Sequence, residues 1–301
     1  MDTSRNRIIF VPGKSAKPPV AQHQVLLWDS LVTGVRHTDP ALAQVLSAQK
    51  QCFQLAAWNE LYYPHAQAIE HDLPWIQALL KKSGPDASDR REAYSWRYRW
   101  ARLFYRLADR FPDLIALSPY PDMRSTLRET ERYFDQGVTI GSEVREVLKI
   151  PLRHMFAAAD RILVIGHSMG SIIAYDALWE LWHGEAQRGR VDIFLTLGSP
   201  LGMRFVKTRL RGFHKDMLKQ QFPGNIRHWI NIAAQGDLTA LDPEIRDDFA
   251  AMLARGMIES ISDLPVYTYF RNQYGLNVHR SYGYLAHPEV GRVIGDWWRS
   301  G

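Results

Sequence analysis

The sequence predicts an α/β protein, a mostly parallel sheet with helices on both faces and a helical insertion, formed as one domain over residues 1–301. Three observations carry that prediction. Short apolar runs of strand length alternate along the chain with longer stretches of helical period, as strands joined by helical crossovers do. The run Ile162 to Ile165 is apolar at every position, as a strand covered on both faces must be. It passes at once into Gly166-His167-Ser168-Met169-Gly170 and then into a helical stretch, Ser171 to Trp182, so a buried strand turns sharply into a helix at a serine flanked by glycines.

Bulk composition sets the frame. A chain of 301 residues suits a single α/β domain with insertions. Hydrophobic content of 46% and a mean hydropathy of -0.29 describe an ordinary globular chain. The longest apolar stretches fall far short of the ~18 residues that a membrane span needs. Met1 to Arg7 runs straight into a strand with no apolar leader core, so a cytoplasmic location is expected. The single Cys52 excludes an internal disulfide, and its neighbours Phe53 and Leu55 make it a small buried hydrophobe. A net charge of +5 and a pI near 9.3 are compatible with an anionic surface or substrate. No nucleic-acid-binding motif accompanies that charge.

In chain order, Arg7 to Val11 is the first strand, ended by Pro12-Gly13 and a loop from Lys14 to Pro19. A helical stretch from Gln24 to Gln49 leads to a second strand, Cys52 to Ala57. About ninety residues then precede the helix before Ile162, far more than a simple crossover uses, so a helical insertion is expected at roughly 60–140, with Lys81 to Asp89 as its clearest loop. Within it Trp96, Trp100, Leu103, Phe104, Leu107 and Phe111 share one helical stripe, while Arg97, Arg99, Arg102, Arg106 and Arg110 fall mainly elsewhere. Val144, Val147, Leu148, Leu152, Met155 and Phe156 form a second stripe, expected to bend or break near Pro151. Val191 to Leu197 and Arg227 to Ala234 are further strands. Between them lies a smaller basic insertion at roughly 203–224, with Arg204, Lys207, Arg209, Arg211, Lys215 and Lys219 against Asp216. A helical run from Glu244 to Gly256, a last strand from Pro265 to Phe270 and a helix from Pro288 to near Trp298 complete the chain.

Gly166-His167-Ser168-Met169-Gly170, set between a buried strand and a helix, resembles the nucleophile turn of the α/β-hydrolase superfamily, in particular its Gly-His-Ser-Met-Gly serine esterases and lipases. The resemblance implies that fold, and it implies Ser168 as nucleophile. It further implies an oxyanion hole from two backbone N–H groups, at Met169 after the nucleophile and at Lys14 in the loop after the first strand. Where the family usually shows His-Gly, this chain has Pro12-Gly13. The family order is serine, acid, histidine. Asp237 lies just beyond the strand ending at Ala234, where that acid belongs. Asp242 is its rival, with a competing reading as a helix N-cap before Pro243. His279 follows the last strand on a loop, whereas its rival His287 precedes Pro288 and has a capping explanation. His167 belongs to the turn and is expected mainly to pack.

The expected function is cleavage of a small-molecule or lipid ester through an acyl-enzyme on Ser168, with His279 as general base and Asp237 as its orienter. A thioesterase or amidase would use the same three residues, and a non-catalytic binding module of this fold is the alternative from another class. No H-E-x-x-H, Cys/His cluster, P-loop or G-x-G-x-x-G occurs, so neither a metal nor an organic cofactor is called for. The aromatic stripe reads either as a mobile lid over an acyl pocket or as a packed helix with a solvated basic face. The basic segment 203–224 reads either as a weak contact for an anionic membrane or as a solvated surface. The sequence leaves the oligomeric state open.

Overall fold

In a computed structural model, which describes residues 5–95, 103, 121–135, 137–158 and 160–300, six strands form one wholly parallel sheet. The strands are β1 (Asn6–Val11), β2 (Phe53–Leu55), β3 (Arg161–His167), β4 (Val191–Leu197), β5 (Ile226–Ala234) and β6 (Ser260–Val266), in the spatial order β2-β1-β3-β4-β5-β6. Successive side chains alternate between two cores, as the pleat requires. Ile8, Phe10, Leu163 and Ile165 pack toward the helices Val20–Arg36 and Pro288–Arg299, whereas Ile9, Val11, Ile162 and Val164 pack toward Ile140–Ala158 and Met169–Trp179. Both faces of the sheet are therefore covered, which is why its strands read as unbroken apolar runs.

The order places β1 between β2 and β3, so the chain leaves β1 in one direction and later returns on its other side. In open α/β sheets the crevice at the carboxyl ends of such strands is where ligands bind. Here it lies between the loop after β1 and the turn after β3.

The described part of the chain between β2 and β3 is helical, with helices Asn59–Tyr62, Leu73–Leu80, Ala87–Ala93, Pro121–Phe134 and Ile140–Ala158. The aromatic and basic stripe from Trp96 to Phe111 lies, apart from Leu103, outside the described residues. Among the described residues no helix is long and apolar enough to cross a membrane.

Several expected boundaries move for local reasons. The stretch Gln24 to Gln49 is two helices, Val20–Arg36 and Pro40–Ser47, because Asp39 caps the second through the Leu42 N–H at 3.0 Å and Pro40 occupies its first turn. Helix Ile140–Ala158 runs through Pro151 without interruption. The last sheet strand is Ser260–Val266 rather than Pro265 to Phe270. It is an edge strand, where Pro265 is tolerated. Tyr269 and Phe270 are apolar because they are buried against the core beyond the sheet, ahead of a small hairpin of β7 (Arg271–Asn272) and β8 (Gly275–Leu276). The basic segment forms only two single-turn helices, Arg204–Lys207 and Leu218–Gln221. Two of its cations meet acids from elsewhere, Lys207 at Asp248 and Arg211 at Glu180.

Candidate active site

Strand β3 ends in a backbone turn that L-residues rarely adopt. Ser168 sits at φ 54° and ψ -126°, immediately before helix Met169–Trp179, and is held there by its N–H bond to the Leu197 carbonyl at 3.0 Å. The flanking glycines serve different contacts. A Cβ on Gly166 would lie 2.6 Å from Ser171 Cα within the turn itself, whereas one on Gly170 would lie 2.1 Å from the Val11 carbonyl oxygen. Gly170 thus lets the helix pack directly on the end of β1. A Cβ on Gly13 would meet His167 Nδ1 and Ser168 Cβ, each at 2.9 Å, so the loop after β1 rests on the serine turn.

That loop is fixed from β2 and the helix behind it. Trp58 Nε1 donates to the Pro12 carbonyl at 2.8 Å, and Asn59 Nδ2 donates to the carbonyls of Gly13 and Ser15, each at 2.9 Å. The Ser15 N–H donates to the Tyr63 hydroxyl at 2.8 Å. Lys17 Nζ donates to the Lys14 carbonyl at 2.6 Å. Lys14 lines the same cavity as Ser168, and Met169 begins the helix whose first N–H groups have no intrahelical acceptor.

Asp237 follows β5 through a turn in which Gly236 takes φ +85°. Its side chain is buried among donors. His279 Nδ1 lies 2.9 Å from Oδ2, the Tyr284 hydroxyl donates to Oδ2 at 2.6 Å, and the Thr239 N–H donates to Oδ1 at 2.9 Å. Burial alone would push the carboxyl up, but the His279 charge and these hydrogen bonds outweigh it and hold Asp237 down at about 2. An ionised carboxylate only accepts, so Nδ1 of His279 carries its proton and Nε2 is left as acceptor. Ser168 Oγ lies 2.9 Å from that Nε2 and donates to it.

Sequence reasoning did not find the residues that hold these three. Tyr284 bridges Asp237 and the Ala234 N–H, and burial followed by the Asp237 charge pushes its hydroxyl well up, so it remains a donor. His167 does more than pack, since its Nε2 donates to the His279 carbonyl at 2.8 Å with the two rings 4.8 Å apart. Burial, then the neighbouring His279 charge, lowers its pKa well below the ordinary value and keeps it neutral. The rival residues have other tasks. His287 is the N-cap of helix Pro288–Arg299, accepting the Glu289 N–H through Nδ1 at 3.1 Å. Asp242 accepts the Glu244 N–H at 3.4 Å but does not cap the following helix. Asp263 of β6 takes that place, accepting the N–H groups of Ile245 and Arg246 at 3.1 and 3.0 Å.

No protein-family model matches the chain, and no curated protein or solved structure matches it.

Proposed function

We propose that the chain is a serine hydrolase of carboxylic esters, with Ser168 as nucleophile, His279 as general base and Asp237 as its orienter. The observation that supports this most is the continuous hydrogen-bonded line from Asp237 through His279 to Ser168, with 2.9 Å at each link. That is the contact a base needs to take a proton from a hydroxyl in the transition state.

Ser168 Oγ attacks the ester carbonyl carbon as His279 Nε2 takes its proton. The imidazolium that forms is stabilised by the Asp237 carboxylate. The oxyanion is met by the Met169 N–H at the positive end of its helix and by the Lys14 N–H, on a loop pinned by Trp58, Asn59 and Tyr63. Collapse breaks the bond to the alcohol, which leaves with the proton from His279. Water then repeats the sequence on the acyl-enzyme and releases the acid. The conformation of Ser168 belongs to the same reading, because strained backbone costing roughly 1–3 kcal/mol persists where its surroundings impose it and is concentrated at functional sites.

A screen of 4-nitrophenyl esters from acetate to decanoate tests the reading. Turnover by the wild-type protein, lost in Ser168→Ala, is the expected result. Activity that persists in Ser168→Ala, or no turnover of any member, counts against it.

A further inference from the structure

The cavity beside Ser168, about 130 Å³, has an unusual wall for an ester site. Besides Ser168 and His279 it is lined by Lys14, Lys17 and Arg280, while no carboxylate lines it among the described residues. Arg280 is ion-paired with Asp72. Among the described residues Lys17 has no such ion pair: its ammonium has three donors, and its hydrogen bond there is to the Lys14 carbonyl. Tyr282 lines the same cavity, is 1% exposed, and its hydroxyl has no hydrogen-bond partner among the described residues. A buried donor without a partner is uncommon in folded proteins, and one on a side chain that lines a cavity with a cation can serve an acceptor that arrives with a ligand.

We propose that this cavity is a carboxylate subsite, in which the Lys17 ammonium and the Tyr282 hydroxyl hold a carboxylate borne by the ester a few bonds from its scissile carbonyl. The proposal rests on the hydrolase reading for its chemistry and on the cavity alone for its ligand. The preferred substrates are then half-esters of short dicarboxylic acids or acyl esters of hydroxy acids. One neighbour deepens the site. His23, 3% exposed and edge-on to the Tyr282 ring at 6.1 Å, also lines an adjoining cavity of about 190 Å³ that shares Lys17 and Pro18, which gives room for the chain between the two ends.

Charge in the surroundings predicts how the subsite responds to pH. Burial, then the Arg280 and Lys14 charges, lower Lys17 to about 7, opposed by Glu129 and Asp72. His23 stays neutral because burial lowers it to about 3, and His167 is neutral as well, while His279 lines the cavity with its Nδ1 against Asp237 and its Nε2 against Ser168. A bound carboxylate favours the charged form of Lys17, so binding takes up a proton above pH 7 and weakens as pH rises.

The test has two readouts. Adipate binding to Ser168→Ala protein is measured by calorimetry at pH 6.5 and 8.5, in that background alone and with Lys17→Met, Lys17→Arg or Tyr282→Phe added. Separately, kcat/KM is compared within two ester pairs, mono-4-nitrophenyl adipate against 4-nitrophenyl hexanoate and 4-acetoxybenzoate against phenyl acetate. The expected result is adipate binding that falls at least tenfold in Lys17→Met, falls in Tyr282→Phe, and loses its pH dependence in Lys17→Arg. The anionic member of one pair is expected to be preferred at least tenfold, chiefly through KM, with that ratio collapsing in Lys17→Met and returning in Lys17→Arg. Which pair shows it tells whether the carboxylate rides on the acyl or the alcohol side. A purely structural Lys17 would lower both members of a pair together and leave the ratio unchanged, which overturns the proposal, as does an absence of adipate binding. Lys17-dependent adipate binding without turnover of any ester upholds the subsite and removes the hydrolase reading instead. Tyr282→Phe deletes only a hydroxyl that makes no hydrogen bond among the described residues, so it remains informative if Lys17→Met does not fold.

Discussion

His167 Nε2 donates to the backbone carbonyl of His279 at 2.8 Å, so the residue preceding the serine also holds the loop that carries the histidine. The serine turn and the histidine loop are thereby set in register by one hydrogen bond, independent of the bond between their own side chains at 2.9 Å. Removing it in His167→Ala is expected to lower kcat by about 10- to 100-fold, the loss that small misplacement of reacting groups brings. His167→Gln keeps a donor and should lose less. Steady-state kinetics with thermal melts separate this from simple unfolding, and equal losses in the two variants would remove the positioning role.

Tyr284 gives a second test of how the acid is held. Tyr284→Phe leaves Asp237 with one donor fewer and the buried Ala234 N–H without its acceptor, which should cost about 1–3 kcal/mol of stability. The Asp237 carboxyl, held at about 2 in part by this hydroxyl, should titrate at higher pH in the variant. The acidic limb of the pH–rate profile moves up accordingly if that titration controls activity. An unchanged melting curve would contradict the bonding described here.

The two histidines and two aspartates that competed in the sequence should part cleanly. His279→Ala and Asp237→Asn are expected to lower the rate by on the order of 10³ or more, whereas His287→Ala loses a helix cap, about 1 kcal/mol of stability and little rate. Asp242→Asn should leave the rate near normal. Asp263→Ala should destabilise, since it strips the acceptor from two N–H groups at once. A folded, inactive His287→Ala beside a near-normal His279→Ala reverses the assignment.

Acid should destabilise the protein through buried histidines. Burial lowers His23 to about 3 and His287 to about 4 from an ordinary 6.5. The unfolded chain takes up these protons below pH 6.5 while the fold refuses them, so the unfolded state binds more protons and stability falls as pH drops from 6.5 toward 4. His287→Asn keeps a capping acceptor but cannot be protonated, so its melting temperature should fall less steeply over that window. A curve parallel to that of the wild type would show that His287 does not contribute.

What the sequence made legible follows from how local each signal is. Ile162 to Gly170 encodes strand, turn and helix in consecutive residues, and the structure places them so. Asp237 and His279 are legible as candidates because each stands at a strand end or on a loop beyond one, positions that chain order exposes, and the structure brings both side chains to Ser168. Tyr284, Asn59 and the second role of His167 left no such trace, since their partners lie far away in sequence and no periodicity reports them. The last strand was misplaced because Tyr267 to Phe270 is as apolar as a strand, although Tyr269 and Phe270 are buried beyond the sheet. Asp242 was given a cap that belongs to Asp263, an acceptor supplied across the fold from β6.

The most direct measurement of the central claim is fluorophosphonate labelling mapped by mass spectrometry, because only a hydroxyl activated by a base reacts at neutral pH. The wild-type protein is predicted to take one label, on Ser168, with none in Ser168→Ala and labelling slowed by orders of magnitude in His279→Ala while the fold is retained. Ser142 and Ser199 are each already hydrogen-bonded, to the Thr139 carbonyl and to Ser171 Oγ, and should remain unlabelled. Labelling that persists in Ser168→Ala, or that is undiminished in His279→Ala, would contradict the account.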